Sequence, residues 1–268
     1  MKHIYNKVYS CLRMKFNSPS WLHIVLPFYL FTFLPFTSSA QERKPQNKPY
    51  IDLRPLHFGI SVGFHMQDIE FQNVGPQVVT LEDGTTVTET VVIDQDNWNP
   101  GFSVGVLADQ RLSNHFSVRL SPTMHFGAKH LTFRHINRTD PEGRIVTATQ
   151  DLKNTYIAFP INLKFAAERF NNYRPYIIGG INPMINLTSK SQDYIQLKRY
   201  DTMVEVGIGC DLYLRFFKLI PELKFSYSLM NAIDSGHADE LTDSSLRVYT
   251  NAVNAGHSKM VTLTFYFE

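Results

Sequence analysis

Apolar residues recur at every second position in successive stretches of this chain, and helical spacing is weak throughout. Phe58, Ile60, Val62 and Phe64 alternate with Gly59, Ser61, Gly63 and His65, and Phe102, Val104, Val106 and Ala108 with Ser103, Gly105 and Asp109. Phe116, Val118, Leu120, Met124 and Phe126 hold one phase, with Ser117, Arg119, Ser121, Thr123 and His125 in the other. Ile157, Phe159, Ile161, Leu163 and Phe165 alternate with Tyr156, Ala158, Asn162 and Lys164. Further along, Val204, Val206, Ile208, Cys210 and Leu212 alternate with Glu205, Gly207, Gly209 and Asp211. Leu223, Phe225, Tyr227 and Leu229 then alternate with Glu222, Lys224, Ser226 and Ser228, and Val261, Leu263, Phe265 and Phe267 with Thr262, Thr264 and Tyr266. Residues 175–187 form one more strand whose phase stays open, because Gly179-Gly180 and Pro183 point to a bulge. The pattern thus predicts eight strands.

The connections between them are expected to run long (67–100), short (111–114), long (128–151), short (167–174), long (188–201), short (214–218) and long (230–257). Sorting of loop length by parity is the habit of outer-membrane barrels, which have short periplasmic turns and long extracellular loops. A soluble sandwich has no reason for it. The expected fold class is therefore all-β, an eight-stranded antiparallel transmembrane β-barrel. An even strand number places both termini on the periplasmic side. Within the first long loop, residues 78–93 read as a hairpin about Asp83-Gly84 that extends the wall beyond the membrane.

Alternation alone does not say which face points inward. Arg119, Lys164, Glu205, Asp211, Glu222 and Lys224 share the phase of the small polar residues. In a membrane barrel they are enclosed and the apolar face meets lipid. Three charges of each sign in a narrow lumen are expected to pair with one another, since unpaired burial is costly. Asp211 and Lys224 are expected to approach each other across a tight 214–218 turn. Eight strands enclose a lumen that side chains can fill, so no open pore is expected. Trp98, Phe116, Tyr156, Phe170, Tyr173, Tyr176, Phe216 and Phe217 lie near strand ends, where interfacial aromatic girdles form.

Export decides between lipid and water. Lys2, Lys7, Arg13 and Lys15 precede an apolar run over residues 21–36, which ends in Thr37-Ser38-Ser39-Ala40. Small residues at 38 and 40 suit signal peptidase, so residues 1–40 are expected to leave as a signal peptide. Pro27, Pro35 and His23 argue against a signal anchor, and Met14 is an alternative start. Residues 41–56, basic and proline-rich, form a periplasmic tail, either a solvated lead-in or a docking tail, and residues 57–268 form the barrel. Cys11 leaves with the signal, so Cys210 remains alone and no disulfide or CxxC site can form. The formal charge is only +2, which excludes nucleic-acid binding through bulk charge, and the 13% aromatic content argues against disorder.

Residues 156–164, Tyr-Ile-Ala-Phe-Pro-Ile-Asn-Leu-Lys, resemble the "Y-L-x-x-P-L-x-L-K" strand of small outer-membrane barrels in the PorT family. Residues 174–180, Arg-Pro-Tyr-Ile-Ile-Gly-Gly, resemble that family's next strand opening, and Gly207-Ile208-Gly209 with the aromatic C-terminus fit as well. The resemblance spans residues 57–268. It implies a non-enzymatic accessory of type IX secretion in the cell outer membrane, needed for export and surface assembly of cargo with C-terminal sorting domains. The implied partners are outer-membrane lipid and other secretion proteins, with no small-molecule substrate. The competing readings are a structural or adhesive barrel acting through its loops and a barrel enzyme acting on lipid A.

No catalytic, cofactor or metal residues are assigned. His57, His65 and His125 fall in the inward phase, and His130 and His135 lie in a basic stretch expected to be loop, but no HxH or HExxH spacing occurs. His257-Ser258 is the sole hint of a hydrolase, and no acid–base partner is visible in the sequence.

Overall fold

The described residues form twelve strands, all paired antiparallel. A computed structural model describes residues 45–80, 86–188, 193–234, 236–241 and 246–268. The strands are β1 (Leu56–Asn73), β2 (Pro76–Thr80), β3 (Thr86–Asp94), β4 (Asn99–Arg111), β5 (Phe116–Leu120) and β6 (Thr123–Thr139), followed by β7 (Ile145–Ala158), β8 (Ile161–Ala166), β9 (Tyr173–Asn186), β10 (Tyr200–Tyr213), β11 (Lys218–Ser228) and β12 (Val253–Phe267). Pro122 separates β5 from β6 and Pro160 separates β7 from β8, because neither residue has an N–H to give the ladder. Their carbonyls still bridge, to the N–H of Val106 at 3.0 Å and of Ser121 at 3.3 Å. Counted as staves, β3 with β4, β5 with β6 and β7 with β8 each make one, β2 pairs only with β3 outside the ring, and eight staves follow one another around the wall. Pairing of β9 with β10 and of β12 with β1 closes the ring. The predicted eight-stranded barrel is the observed one.

Two expectations about the course of the strands need correction. The stave at 175–187 has no bulge: its register to β10 runs unbroken from Tyr173↔Leu212 to Ile185↔Tyr200. Gly179 and Gly180 hold ladder positions in it, with Tyr176, Ile178, Asn182 and Met184 turned inward. The second correction concerns the long connections. Most of 67–100 and almost all of 128–151 is strand, and the latter holds only a tight turn about Asp140 and Gly143 (φ +79°). Asp140 there accepts the backbone N–H of Arg144 at 2.8 Å and of Glu142 at 2.9 Å, which hold its carboxyl below the usual carboxylate range. The hairpin expected about Asp83-Gly84 is seen in its arms, β2 and β3, and β3 joins the wall beside β6. Its turn lies outside the described residues, as does the proposed signal-peptide cleavage point.

These strands were hidden because the polarity of the wall inverts along their length. On β1, Leu56, Phe58, Ile60, Val62, Phe64 and Met66 point outward and are exposed, with Ser61, His65 and Gln67 buried inside. Past Met66 the sense reverses: Ile69 is buried inside and Glu70 is exposed. On β6, Met124 and Phe126 face outward, whereas Leu131 and Phe133 are fully buried within and His130 is exposed. The lower zone, 56–66 on β1, matches the ~9–11 residues a tilted strand needs to cross hydrocarbon. The upper zone is an ordinary water-soluble β-structure with an apolar inside.

That apolar inside forms a core from Ile69, Val91, Ile93, Leu131, Phe133 and Leu152. The connections after β9 and β11 fold into it: Ile195 and Leu197 from one, Ile233 from the other, with Leu197 and Ile233 bridged. Two single-turn helices, α1 (His237–Glu240) and α2 (Arg247–Thr250), belong to the same cover, and Tyr249 of α2 packs on Phe133 and Tyr194.

At the opposite end lie the short turns and both termini of the described unit. The described part of the tail, read as either a solvated lead-in or a docking tail, is hydrogen-bonded to this rim, where Asn172 Nδ2 donates to the Pro45 carbonyl at 3.1 Å. Asn47 Nδ2 donates to the Tyr213 carbonyl at 2.9 Å, Tyr213 donates to Asp52 at 2.6 Å, and Arg169 stacks over the Tyr213 ring at 3.5 Å. Phe116, Phe170, Tyr173, Phe216, Phe217 and Trp98 face outward as girdle residues should, but Tyr156 and Tyr176 are buried in the lumen. Both keep strict alternation, and a tyrosine in the inward phase goes inside whatever its depth.

An arginine in place of Ile60, near the middle of the apolar band, should cost about 2–4 kcal/mol of stability. Gln72→Arg, on the same outward face above the band, should change it by less than ~0.5 kcal/mol. Urea unfolding in phospholipid vesicles measures both, and equal costs would remove the zone boundary.

Candidate functional site

The lumen of the lower zone is the chemically richest part of the molecule, and all six predicted charges lie in it, buried: Arg119, Lys164, Glu205, Asp211, Glu222 and Lys224. Strand register explains their meeting. Asp109 of β4 lies directly opposite Arg119 of β5, and glycines opposite the long side chains leave them room. A Cβ on Gly207 would stand 2.7 Å from Lys224 Cγ, and one on Gly209 would run into the Tyr176 ring.

Arg119 is the centre. Its Nε and Nη2 donate to Asp109 Oδ2 at 3.1 and 2.8 Å, and its Nη1 to Glu222 Oε2 at 2.5 Å. The Tyr176 and Tyr266 rings flank the guanidinium at 5.2 and 5.1 Å, and both hydroxyls donate to Glu222, at 2.6 and 3.0 Å. Two carboxylates and two rings thereby replace the water that a buried guanidinium gives up. Toward the short-turn end, Lys164 donates to both oxygens of Asp211 at 2.9 and 2.8 Å. Lys218 bridges Asp211 at 3.4 Å to Glu268 at 3.0 Å, and His57 closes the chain on Glu268. Toward the loop end, Lys224 meets Glu205 at 3.2 Å and Glu222 at 3.8 Å. Glu205 also accepts from Asn182 at 2.7 Å, Asn162 at 3.2 Å and Ser226 at 3.3 Å.

The expected mutual pairing is present, with different partners in one case. Asp211 and Lys224 do not pair: Tyr213↔Lys218 and Gly207↔Lys224 in the β10–β11 register put Lys218 on the Asp211 side and carry Lys224 up to Glu205. Sequence reasoning also left out Asp109, Lys218 and Glu268 as network members. Asp109 carried the signal, since it shares the polar phase of its strand; Lys218 and Glu268 sat in a turn and at a terminus, where the pattern stops.

Above the network lies a polar layer without carboxylates. His65 and His125 meet edge to face at 5.1 Å, and the amides of Gln67 and Asn154 face each other at 2.9 and 3.0 Å. Lys129 is buried with Tyr156 Oη at 3.4 Å. The basic stretch 129–135, expected to be loop, is thus part of β6: Lys129 and His135 point in, and His135 Nε2 lies 3.0 Å from Tyr249 Oη. Among the described residues no group of three or more His, Cys, Asp or Glu could hold a metal ion. His257 faces outward against the Tyr227 ring while Ser258 is buried on the other side, so the two point away from each other.

From the short turns to the loops the lumen is therefore filled in turn by an ion-pair network, a layer of amides and imidazoles, and an apolar core. Such an apolar-out, polar-in ring with a covered mouth defines a small outer-membrane β-barrel with a closed interior. The chain belongs to the outer membrane protein beta-barrel domain family, whose profile matches residues 39–234. No curated protein matches. Solved structures to which the chain is similar include two small outer-membrane proteins. The outer membrane protein OprG from Pseudomonas aeruginosa has 12% identity over 78% of this chain and 91% of that one, with a TM-score of 0.36. Neisserial surface protein A (NspA) has 9% identity over 80% and 98%, with a TM-score of 0.38.

Arg119→Met, which leaves Asp109 and Glu222 enclosed without their cation, should cost about 3–5 kcal/mol in vesicle unfolding. Adding Asp109→Asn and Glu222→Gln should return most of that loss. A single variant as stable as the parent would mean that water reaches these carboxylates. In planar bilayers the protein should give no steady unitary currents.

Proposed function

We infer that this outer-membrane barrel is a non-enzymatic accessory of type IX protein secretion, needed for export and surface assembly of cargo with C-terminal sorting domains. The observation that carries this reading is the filled lumen. A barrel with ion pairs packed across its lower half and an apolar core under its loops offers cargo no route through itself. It acts through its rims, its loops and its lipid-facing wall. The resemblance of residues 156–164 and 174–180 to PorT strands supports secretion as the process served. The termini and short turns share one rim, and an exported chain with a cleaved signal at residues 1–40 presents that rim to the periplasm. Its partners in this reading are outer-membrane lipid and other secretion proteins, with no nucleic acid and no small-molecule substrate.

An adhesive role has one observation in its favour. The wall continues well above the apolar band, and the β2–β3 hairpin adds to it, giving a tall surface beyond the membrane. The reading as a lipid A enzyme draws no support from His257 and Ser258, which point to opposite faces of β12.

Deletion of the gene should trap sorting-domain cargo in the periplasm, read by fractionation and surface labelling. Normal surface display together with loss of attachment to host or matrix would replace the secretion role with the adhesive one.

A further inference from the structure

The lipid-facing wall is not evenly covered. On β9, β10 and β11, near the short-turn end, Pro175, Cys210 and Pro221 lie side by side on the outward face, Pro175 paired with Cys210 and Cys210 facing Pro221. The row above them is large: Ile177, Ile208 and Leu223, paired in that order. Three small side chains below a row of large ones leave a hollow of about 620 Å³, whose outward lining is apolar apart from the Cys210 thiol. The β10–β11 pairing is interrupted at this place, between Gly209↔Glu222 and Leu212↔Leu219, where Pro221 has no N–H to offer. The wall is thus thinned where a smooth apolar surface would serve an ordinary lipid annulus.

We propose that this hollow holds one acyl chain of a membrane phospholipid from the leaflet on the short-turn side. The hollow is a shallow groove open toward the lipid phase. The surrounding phase supplies acyl chains, and an apolar hollow in hydrocarbon is filled by whatever chain packs best against it. The tight turn directly below β10 and β11, closed by the Leu214 N–H on the Phe217 carbonyl at 3.0 Å, carries Arg215. Arg215 is exposed and has no hydrogen-bond or ion-pair partner among the described residues. A guanidinium at that rim suits a lipid phosphate, in monodentate or forked contact. A second copy of the chain fits less well, because two concave faces laid together leave each other's hollow empty.

The test is native mass spectrometry of the full barrel, extracted from outer membranes and supplied with phosphatidylglycerol. The protein should retain one phospholipid at collision energies that strip the rest. Cys210→Trp and Ala167→Trp, which fill the hollow from its floor and its edge, should abolish that retention while heat-dependent gel mobility still reports a folded barrel. Arg215→Gln should lower it severalfold without changing the fold. Undiminished retention in both folded tryptophan variants would overturn the proposal. So would a two-copy mass in the parent that Cys210→Trp removes, since the hollow would then seat a neighbouring barrel.

Discussion

A hydrocarbon layer offers backbone groups no hydrogen-bond partner, and from that single constraint the rest of this molecule follows. A sheet placed there cannot keep an edge, so β9 must find β10 and β12 must find β1. Once the ring closes, alternation sends half of the side chains into a lumen too narrow for bulk water. Whatever stands there must satisfy its own polar groups. Arg119, with two carboxylates and two aromatic rings around it, is the fullest answer, and the Lys164–Asp211–Lys218–Glu268 chain repeats it toward the rim. The ion pairs are therefore consequences of closure before they are sources of stability, since removing one partner leaves the other charge enclosed at a cost.

The same constraint shows why part of the fold was legible in the sequence and part was not. Residues 58–65 or 204–212 stay within one zone, and their unbroken alternation reads directly as a stave. On β6 the apolar positions change parity between Phe126 and Leu131, because the chain leaves lipid for water while its direction and pleat stay the same. A pattern that changes parity looks like the end of a strand, so 128–151 read as loop although it is nearly all strand. β1 does the same between Met66 and Ile69. Parity reversal at constant strand direction is thus a readable mark of the membrane boundary, once both zones are considered together.

For the lumen, membership was legible and partnership was not. Phase alone placed six charges inside. Which of them touch depends on where the ring closes. Arg119 and Glu222 lie on staves separated by three others along the wall and meet only across the lumen, a relation that no local spacing contains. The expected pair of Asp211 with Lys224 fails on register, because Lys224 lies opposite Gly207, four residues from Asp211. Tyr156 and Tyr176 were assigned by depth as girdle residues, whereas phase governs: both supply hydroxyls to buried ions.

Every stave contributes a polar contact to the lower lumen, from His57 on β1 and Asp109 on β4 through Tyr176 on β9 to Tyr266 on β12. Rotating or opening any one stave would strand charges on its neighbours, so the lower zone has one register and no inexpensive second state. The upper cover is held differently, by apolar contacts of Ile195, Leu197, Ile233 and Tyr249 and by uncharged hydrogen bonds such as the two that Gln150 exchanges with Ile195 and the Ala232 N–H on the Gly256 carbonyl. Apolar contacts without fixed direction tolerate rearrangement that ion pairs do not. Any change of shape that accompanies this protein's work should fall on the cover and the rims, with the charged cylinder beneath serving as the rigid mount that holds both in place.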